Sequence, residues 1–440
     1  MAVLLRGGRV VTMNSKRHVF TGDVRVDGRH IVALGTKIDA QKGDTILDVQ
    51  DHFVIPGLIQ VHTHLCQAMF RGFADDLRLL DWLKKKIWPM ESGHNGESLT
   101  ASAQIGLLEM QLLGTTSILD MGTVQHTDHI FKAVQESGMR YVGGNCLMDR
   151  KGSAGPLWQA RQPALKECQR LIEKWQGQNP LIEYALNPRF AISCSDHLLR
   201  DCVGLQKSYN LKIHTHASES LEEIAIVKAR TGLSNVDYLD SLGMLGPQTV
   251  LVHGVHLSAG ELRKMIRTKT PLVHCPSSNL KLASGIAPIE RYRKLGLQMG
   301  LGSDGAPCNN NMDPFLEMRL TALLQKPRFG PEAMSAAQAF ELATLGGARV
   351  LGKSDLLGSL EAGKLADIAV VEASHPSVAT VENPYSALVY SCSGRDVRHV
   401  LIDGQIVVRD RQHWRWSLPQ VVAKTKDERK KLFSRIGISA

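Results

Sequence analysis

Val54-Ile55-Pro56-Gly57-Leu58-Ile59-Gln60-Val61-His62-Thr63-His64 is an apolar, β-branched run that closes on two histidines. Its length and composition predict one buried strand. Side chains alternate faces along a strand, so His62 and His64 project together from its end. Two imidazoles on one face can offer two nitrogen ligands to one metal ion. The chain carries 17 histidines, so such a pair can arise without function and needs support from elsewhere.

Working outward, comparable apolar runs recur at Thr115–Met121, Arg140–Met148, Ile182–Pro188, Leu211–Ala217, Thr249–Val255, Pro271–Pro276 and Gln298–Asp304. Amphipathic segments such as Leu165–Gln176 and Leu221–Thr231 lie between them. With Leu58–His64 this makes a series of strand-helix units, which predicts an α/β fold, a (β/α)8 TIM barrel with its chemistry at the C-terminal strand ends. The polar residues fall at those ends. His214 and His216 close the fifth run, His253 the sixth, His274 the seventh and Asp304 the eighth. Such groups are costly to bury unpaired, so their recurrence turns the first pair into a candidate metal site. His62, His64 and His216 with the Asp304 carboxylate leave a metal position open for water, as catalytic zinc requires. Glu219, three residues past His216, is placed to accept a proton from that water and pass it on. Its competing reading is a helix N-terminal carboxylate favoured by the helix dipole. His253 is expected beside the water, and His214 and His274 are expected to support or pack.

The two chain ends share another texture. Short strand-like runs occur at Val10–Thr12, Asp23–Arg29 and Ile31–Leu34, with a hairpin signal at Asp27-Gly28, and again at Lys364–Val371 and Val397–Val408. Neither set can close a core alone. The expected organisation is a small composite β-sandwich from 1–55 plus 358–415, a catalytic barrel over 56–357 and a C-terminal helical tail over 416–440. The net charge is +9, but the basic residues are scattered, apart from Lys424, Lys426, Arg429, Lys430, Lys431 and Arg435 in the tail. These alternate with acids and apolar residues, which reads as a solvated helix. Aromatics are 5% of the chain with no basic-aromatic interleaving, which weighs against nucleic acid. No apolar run reaches membrane-spanning length, and the N-terminus lacks signal-peptide architecture. The 8 cysteines are dispersed with no CxxC pair, against both a disulfide framework and a cysteine metal cluster. A reducing cytoplasm is expected.

The motifs Val54–His64, Leu80-Asp81-Trp82-Leu83 through Ile87-Trp88-Pro89-Met90-Glu91, His214–Glu219, His274–Leu282, Asp304–Asn310 and Gly363–Asp367 run almost the full length. On these the chain resembles the amidohydrolase superfamily. The similarity is to the branch of triazine hydrolases and deaminases of methylthioadenosine, S-adenosylhomocysteine and 5'-deoxyadenosine. The resemblance implies one divalent metal, zinc first and iron as the alternative, on His62, His64, His216 and Asp304. It implies Glu219 as proton shuttle, His253 as a group stabilising the water or intermediate, and Asp304 as a second proton acceptor. The fourth strand ends Leu186-Asn187-Pro188 without a lysine, so a lysine-carbamate-bridged metal pair is not expected.

The same resemblance places Glu91 on the ribose hydroxyls of a 5'-substituted adenosine, and a carboxylate can accept from both hydroxyls of a diol. Pro188-Arg189-Phe190-Ala191-Ile192-Ser193-Cys194, together with Gln67, instead looks like guanine deaminase, where Arg and Gln donate to purine acceptors. Arg150 and Arg161 depart from the adenosylhomocysteine pattern, which favours a small 5' group. The expected activity is hydrolytic deamination of an aminated purine, most of all a 5'-substituted adenosine. Guanine deamination and triazine hydrolysis are the alternatives. The expected partners are a purine or nucleoside substrate, no nucleic acid, no membrane, and further copies of the chain in a homo-oligomer.

Overall fold

The computed structural model describes residues 2–438. Its centre is a closed barrel of eight parallel staves. They are Leu58–Thr63, Thr115–Asp120, Arg140–Gly143 continued by Cys146–Leu147, Ile182–Pro188, Lys212–Ala217, Thr249–His253, Leu272–His274 and Met299–Leu301. Each stave pairs with the next, and Leu301 pairs with Gln60 to close the ring. Helices alternate with the staves, and no described helix is long and apolar enough to cross a membrane.

The run that predicted the fold is not one strand but two. His52–Pro56 belongs to the sheet of the chain ends, and Leu58–Thr63 is the first stave. Gly57 is the division. A Cβ there would lie 2.2 Å from Thr116 Oγ1, so only glycine lets the backbone pass from one sheet to the other. The third run also differs from expectation. Arg140–Met148 breaks at Gly144-Asn145, where a Cβ on Gly144 would meet the Ala185 carbonyl at 2.1 Å.

Both chain ends meet in a single nine-stranded sheet, in which Ala369 pairs antiparallel with Ile55. A separate apolar cluster joins Val3, Leu5, Val24, Val26 and Ile31 to Ile368, Val370 and Leu401, so neither end is complete without the other. Arg140 at the start of the third stave ties this sheet to the barrel. Its Nε and Nη2 donate to both Asp367 oxygens at 3.0 and 2.8 Å, and Nη2 also reaches Asp403 at 3.1 Å.

The tail forms a helix over Leu418–Arg435, with Ser439 and Ala440 outside the described residues. It is not a solvated helix. Val421, Thr425, Glu428, Leu432 and Phe433 are buried, and Lys424 Nζ donates to Gln104 of the barrel helix Gly96–Leu112 at 3.1 Å. Apart from Glu428, none of its charged residues is buried, which is why charge alternation alone suggested full exposure.

Candidate active site

The C-terminal stave ends bring the sequence-selected groups to one point. His62 Nε2 and His64 Nε2 lie 3.2 and 3.3 Å from Asp304 Oδ1, and His64 Nε2 lies 3.4 Å from His216 Nε2. His253 Nε2 is 3.5 Å from Glu219 Oε2 and 3.8 Å from Asp304 Oδ2. All six residues are at most 9% exposed. His253 and Asp304 hold left-handed backbone angles, with φ of 73° and 62°. Such angles are unfavourable for residues with a Cβ and persist where surrounding structure fixes a functional geometry.

Five of the six are oriented by a neighbour, and only one of those neighbours, His214, is revealed by the strand pattern. His62 Nδ1 meets His214 Nε2 at 2.9 Å, and His216 Nδ1 meets the Arg189 carbonyl at 2.6 Å. His253 Nδ1 meets Asn279 Oδ1 at 2.9 Å. Ser278 Oγ and the Gly305 N–H donate to Asp304 at 2.7 and 2.8 Å. Ser284 Oγ donates to Glu219 Oε1 at 3.3 Å, and the Glu219 N–H donates to Glu223 at 2.8 Å. His274 is buried beside the site, and neither of its ring nitrogens has a hydrogen-bond partner. Asp120, absent from the sequence reading, anchors the loop after His64 by accepting from Thr63 Oγ1 at 3.1 Å and the Leu65 N–H at 2.8 Å.

Burial keeps the imidazoles of His62, His64, His216 and His253 below their ordinary pKa, and therefore neutral and able to donate a lone pair. For Asp304, burial pushes upward, but His62, His64 and His253 outweigh it and hold the carboxyl well below the usual range. Glu219 moves the other way, well above the usual carboxylate range, through burial and then the nearby Asp304 charge. The two adjacent carboxyls are thus pushed apart, Asp304 towards its ionised form and Glu219 towards its protonated form. The helix reading of Glu219 fails, because Ser220 caps Leu221–Thr231 and Glu219 lies before the cap.

The donor set fits a metal ion. Ligand atoms of His62, His64 and Asp304 lie within 4.8 Å of one another, as do those of His62, His216 and His253. His62 Nε2 is buried without a hydrogen-bond partner, an unmet acceptor of the kind a cation satisfies. His64, Cys66 and Glu91 also cluster, but burial holds the Cys66 thiol well above its ordinary pKa, and its Sγ donates to the Gly122 carbonyl at 3.2 Å. A protonated thiol is a poor ligand. All eight cysteines are free and buried.

A cavity opens on this centre. Its wall includes Leu79, Trp82, Leu83, Arg189, Phe190 and Leu282. The three expected substrate residues come together, but as one buried network. Arg189 donates to Glu91 Oε2 at 2.8 Å and to Oε1 at 3.1 Å, and Gln67 Nε2 donates to Oε1 at 2.7 Å. With two lone pairs per oxygen, Glu91 retains one acceptor position rather than the two a diol would use. Arg189 forms the cavity wall, whereas Glu91 and Gln67 are not among its lining side chains. Arg150 and Arg161 are not part of that wall either, and Arg161 pairs with Asp201 at 2.8 Å.

A closed parallel barrel with a histidine–aspartate cluster and a buried carboxyl of raised pKa at its stave ends defines a barrel hydrolase. The chain belongs to the amidohydrolase family, whose model matches residues 53–407. It is 38% identical to a 5'-deoxyadenosine deaminase of Methanothermobacter thermautotrophicus, over 93% of each chain. It is 36% identical to a 5-methylthioadenosine/S-adenosylhomocysteine deaminase of Carboxydothermus hydrogenoformans, over 94% of each. Among solved structures it resembles an adenosine deaminase of Xanthomonas campestris with bound zinc, at TM-score 0.90 and 27% identity, covering 98% of both chains.

Proposed function

We propose that the protein is a metal-dependent hydrolytic deaminase of an aminated purine, with a 5'-substituted adenosine as its substrate class. One observation carries the chemistry: Glu219, its carboxyl raised by burial, faces His253 at 3.5 Å inside the histidine–aspartate cluster. The substrate class is supported by the deaminase names of relatives at 38 and 36% identity. His62, His64, His216 and Asp304 would hold one divalent ion, zinc by the donor set and iron as the alternative. When bound, the ion supplies Lewis acidity that makes water nucleophilic near neutral pH. Glu219 takes the proton of the attacking water and delivers it to the ring nitrogen beside the amine-bearing carbon. His253, held by Asn279, stabilises the developing charge, and Asp304 takes the second water proton only in passing, relaying it to the amine nitrogen. Ammonia then departs and leaves the oxo product. Leu79, Trp82, Leu83 and Leu282 keep bulk water from the reacting atoms.

A second reading is favoured by the Arg189–Glu91–Gln67 network. A guanidinium on the wall suits a heterocycle with its own acceptors, such as guanine. An ammonia-release screen over 5'-deoxyadenosine, methylthioadenosine, S-adenosylhomocysteine, adenosine, guanine and a triazine separates the readings. A 5'-substituted adenosine is expected to turn over fastest. Guanine in first place would replace it.

A further inference from the structure

We propose that the indole N–H of Trp82 is a substrate-binding donor, giving a hydrogen bond to an acceptor atom of the molecule held in the cavity. This rests on the aminated-purine reading above. Trp82 lines the cavity and is 4% exposed, yet its Nε1 has no partner. Every other polar side chain on the wall is engaged. Arg189 is bound to Glu91, His216 to the Arg189 carbonyl, Glu219 to Ser284, His253 to Asn279 and Asp304 to Ser278. His64 faces Asp304. Among the described residues, Trp82 is therefore the wall side chain with an unmet buried donor. A buried N–H costs free energy until an acceptor is supplied, and indole nitrogen can only donate.

The local backbone is consistent with this use. Leu79–Trp82 is one helical turn, followed directly by a wide π turn over Leu83–Ile87. Such turns are rare and recur at functional positions. Trp82, Leu83 and Ile87 face inward, while Lys84, Lys85 and Lys86 are exposed, so the segment is a cover with an apolar underside. A purine ring nitrogen and a sugar oxygen share the required acceptor chemistry.

The test uses Trp82→Phe and an isostere with benzothiophene in place of indole at position 82, which keeps the ring shape but removes the N–H. Trp88→Phe is the comparison, because Trp88 Nε1 is also buried and unpartnered but is not on the cavity wall. Kinetics are measured on whichever aminated purine the wild-type protein deaminates, and on its 3-deaza and 7-deaza analogues. Both replacements at 82 are expected to lower kcat/KM about 5- to 10-fold, mainly through KM, with Trp88→Phe unchanged. Loss of that penalty on one deaza analogue assigns the acceptor to that ring nitrogen, and persistence on both assigns it to the sugar. An isostere with wild-type kcat/KM, or an equal loss from Trp88→Phe, would overturn the proposal. Absence of wild-type turnover on every aminated purine contradicts the functional reading instead, so the two failures are distinguishable.

Discussion

At the residue scale, the informative contrast lies between the groups that converge and the groups that orient them. His62, His64, His216, Glu219, His253 and Asp304 were legible because each closes or follows a stave, so strand periodicity and barrel geometry locate it. Of their supports, His214 was legible in the same way, and the others were not. Ser278, Asn279 and Ser284 act through tertiary contact that no local pattern displays, whereas Asp120 closes the second stave and its stave-end position was a signal that went unused. The pairing of Arg189 with Glu91 spans 98 positions and converts two rival substrate readings into one network. Two predictions belong here. Glu219→Gln removes the movable proton but no proposed ligand, so metal content should stay normal while turnover falls roughly 10²–10⁴-fold. Turnover near wild type would remove Glu219 from its role. His214→Phe frees His62 Nδ1 and should weaken metal binding about 10- to 100-fold in a chelator competition. Unchanged affinity would make His214 a packing residue.

At the element scale, glycines mark where the sequence reading went astray. The pattern of Val54–His64 is continuous, but contact with Thr116 divides it at Gly57, and a neighbouring strand is invisible in a local window. The tail helix failed as an expectation for a related reason: its buried stripe is narrow, and three of its members are not aliphatic. Within the fifth stave, Lys212 is buried two residues before His214, and burial pulls its amine down to about 8 despite Glu183 nearby. Between pH 8 and the ordinary lysine value of 10.5, the unfolded chain binds the extra proton, so stability gains with rising pH across that window. Below it the folded state bears a cost of roughly 3 kcal/mol. Lys212→Met should therefore melt higher than wild type at pH 7, with the gap closing towards pH 10. A gap independent of pH would show that packing, not charge burial, sets the difference.

At the scale of the whole molecule, the barrel and the composite sheet are joined by a buried ion network rather than by apolar contact alone. Arg140 serves Asp367 and Asp403 together, and the Asp403 N–H donates back to Asp367 at 2.8 Å. Removing the cation leaves carboxylates buried without their partner. Arg140→Met should cost about 3–5 kcal/mol in denaturant unfolding, and Arg140→Met with Asp367→Leu should recover part of it. Additive losses would rule out coupling.

The central claim is that one divalent ion, held by His62, His64, His216 and Asp304, serves a deaminase centre. Its most direct test is a metal titration of chelator-stripped protein, reading ammonia released from a 5'-substituted adenosine. The account predicts no release without metal, a linear rise with added zinc and a plateau at one equivalent. Release from the stripped protein, a plateau at two equivalents, or none with zinc or iron would contradict it.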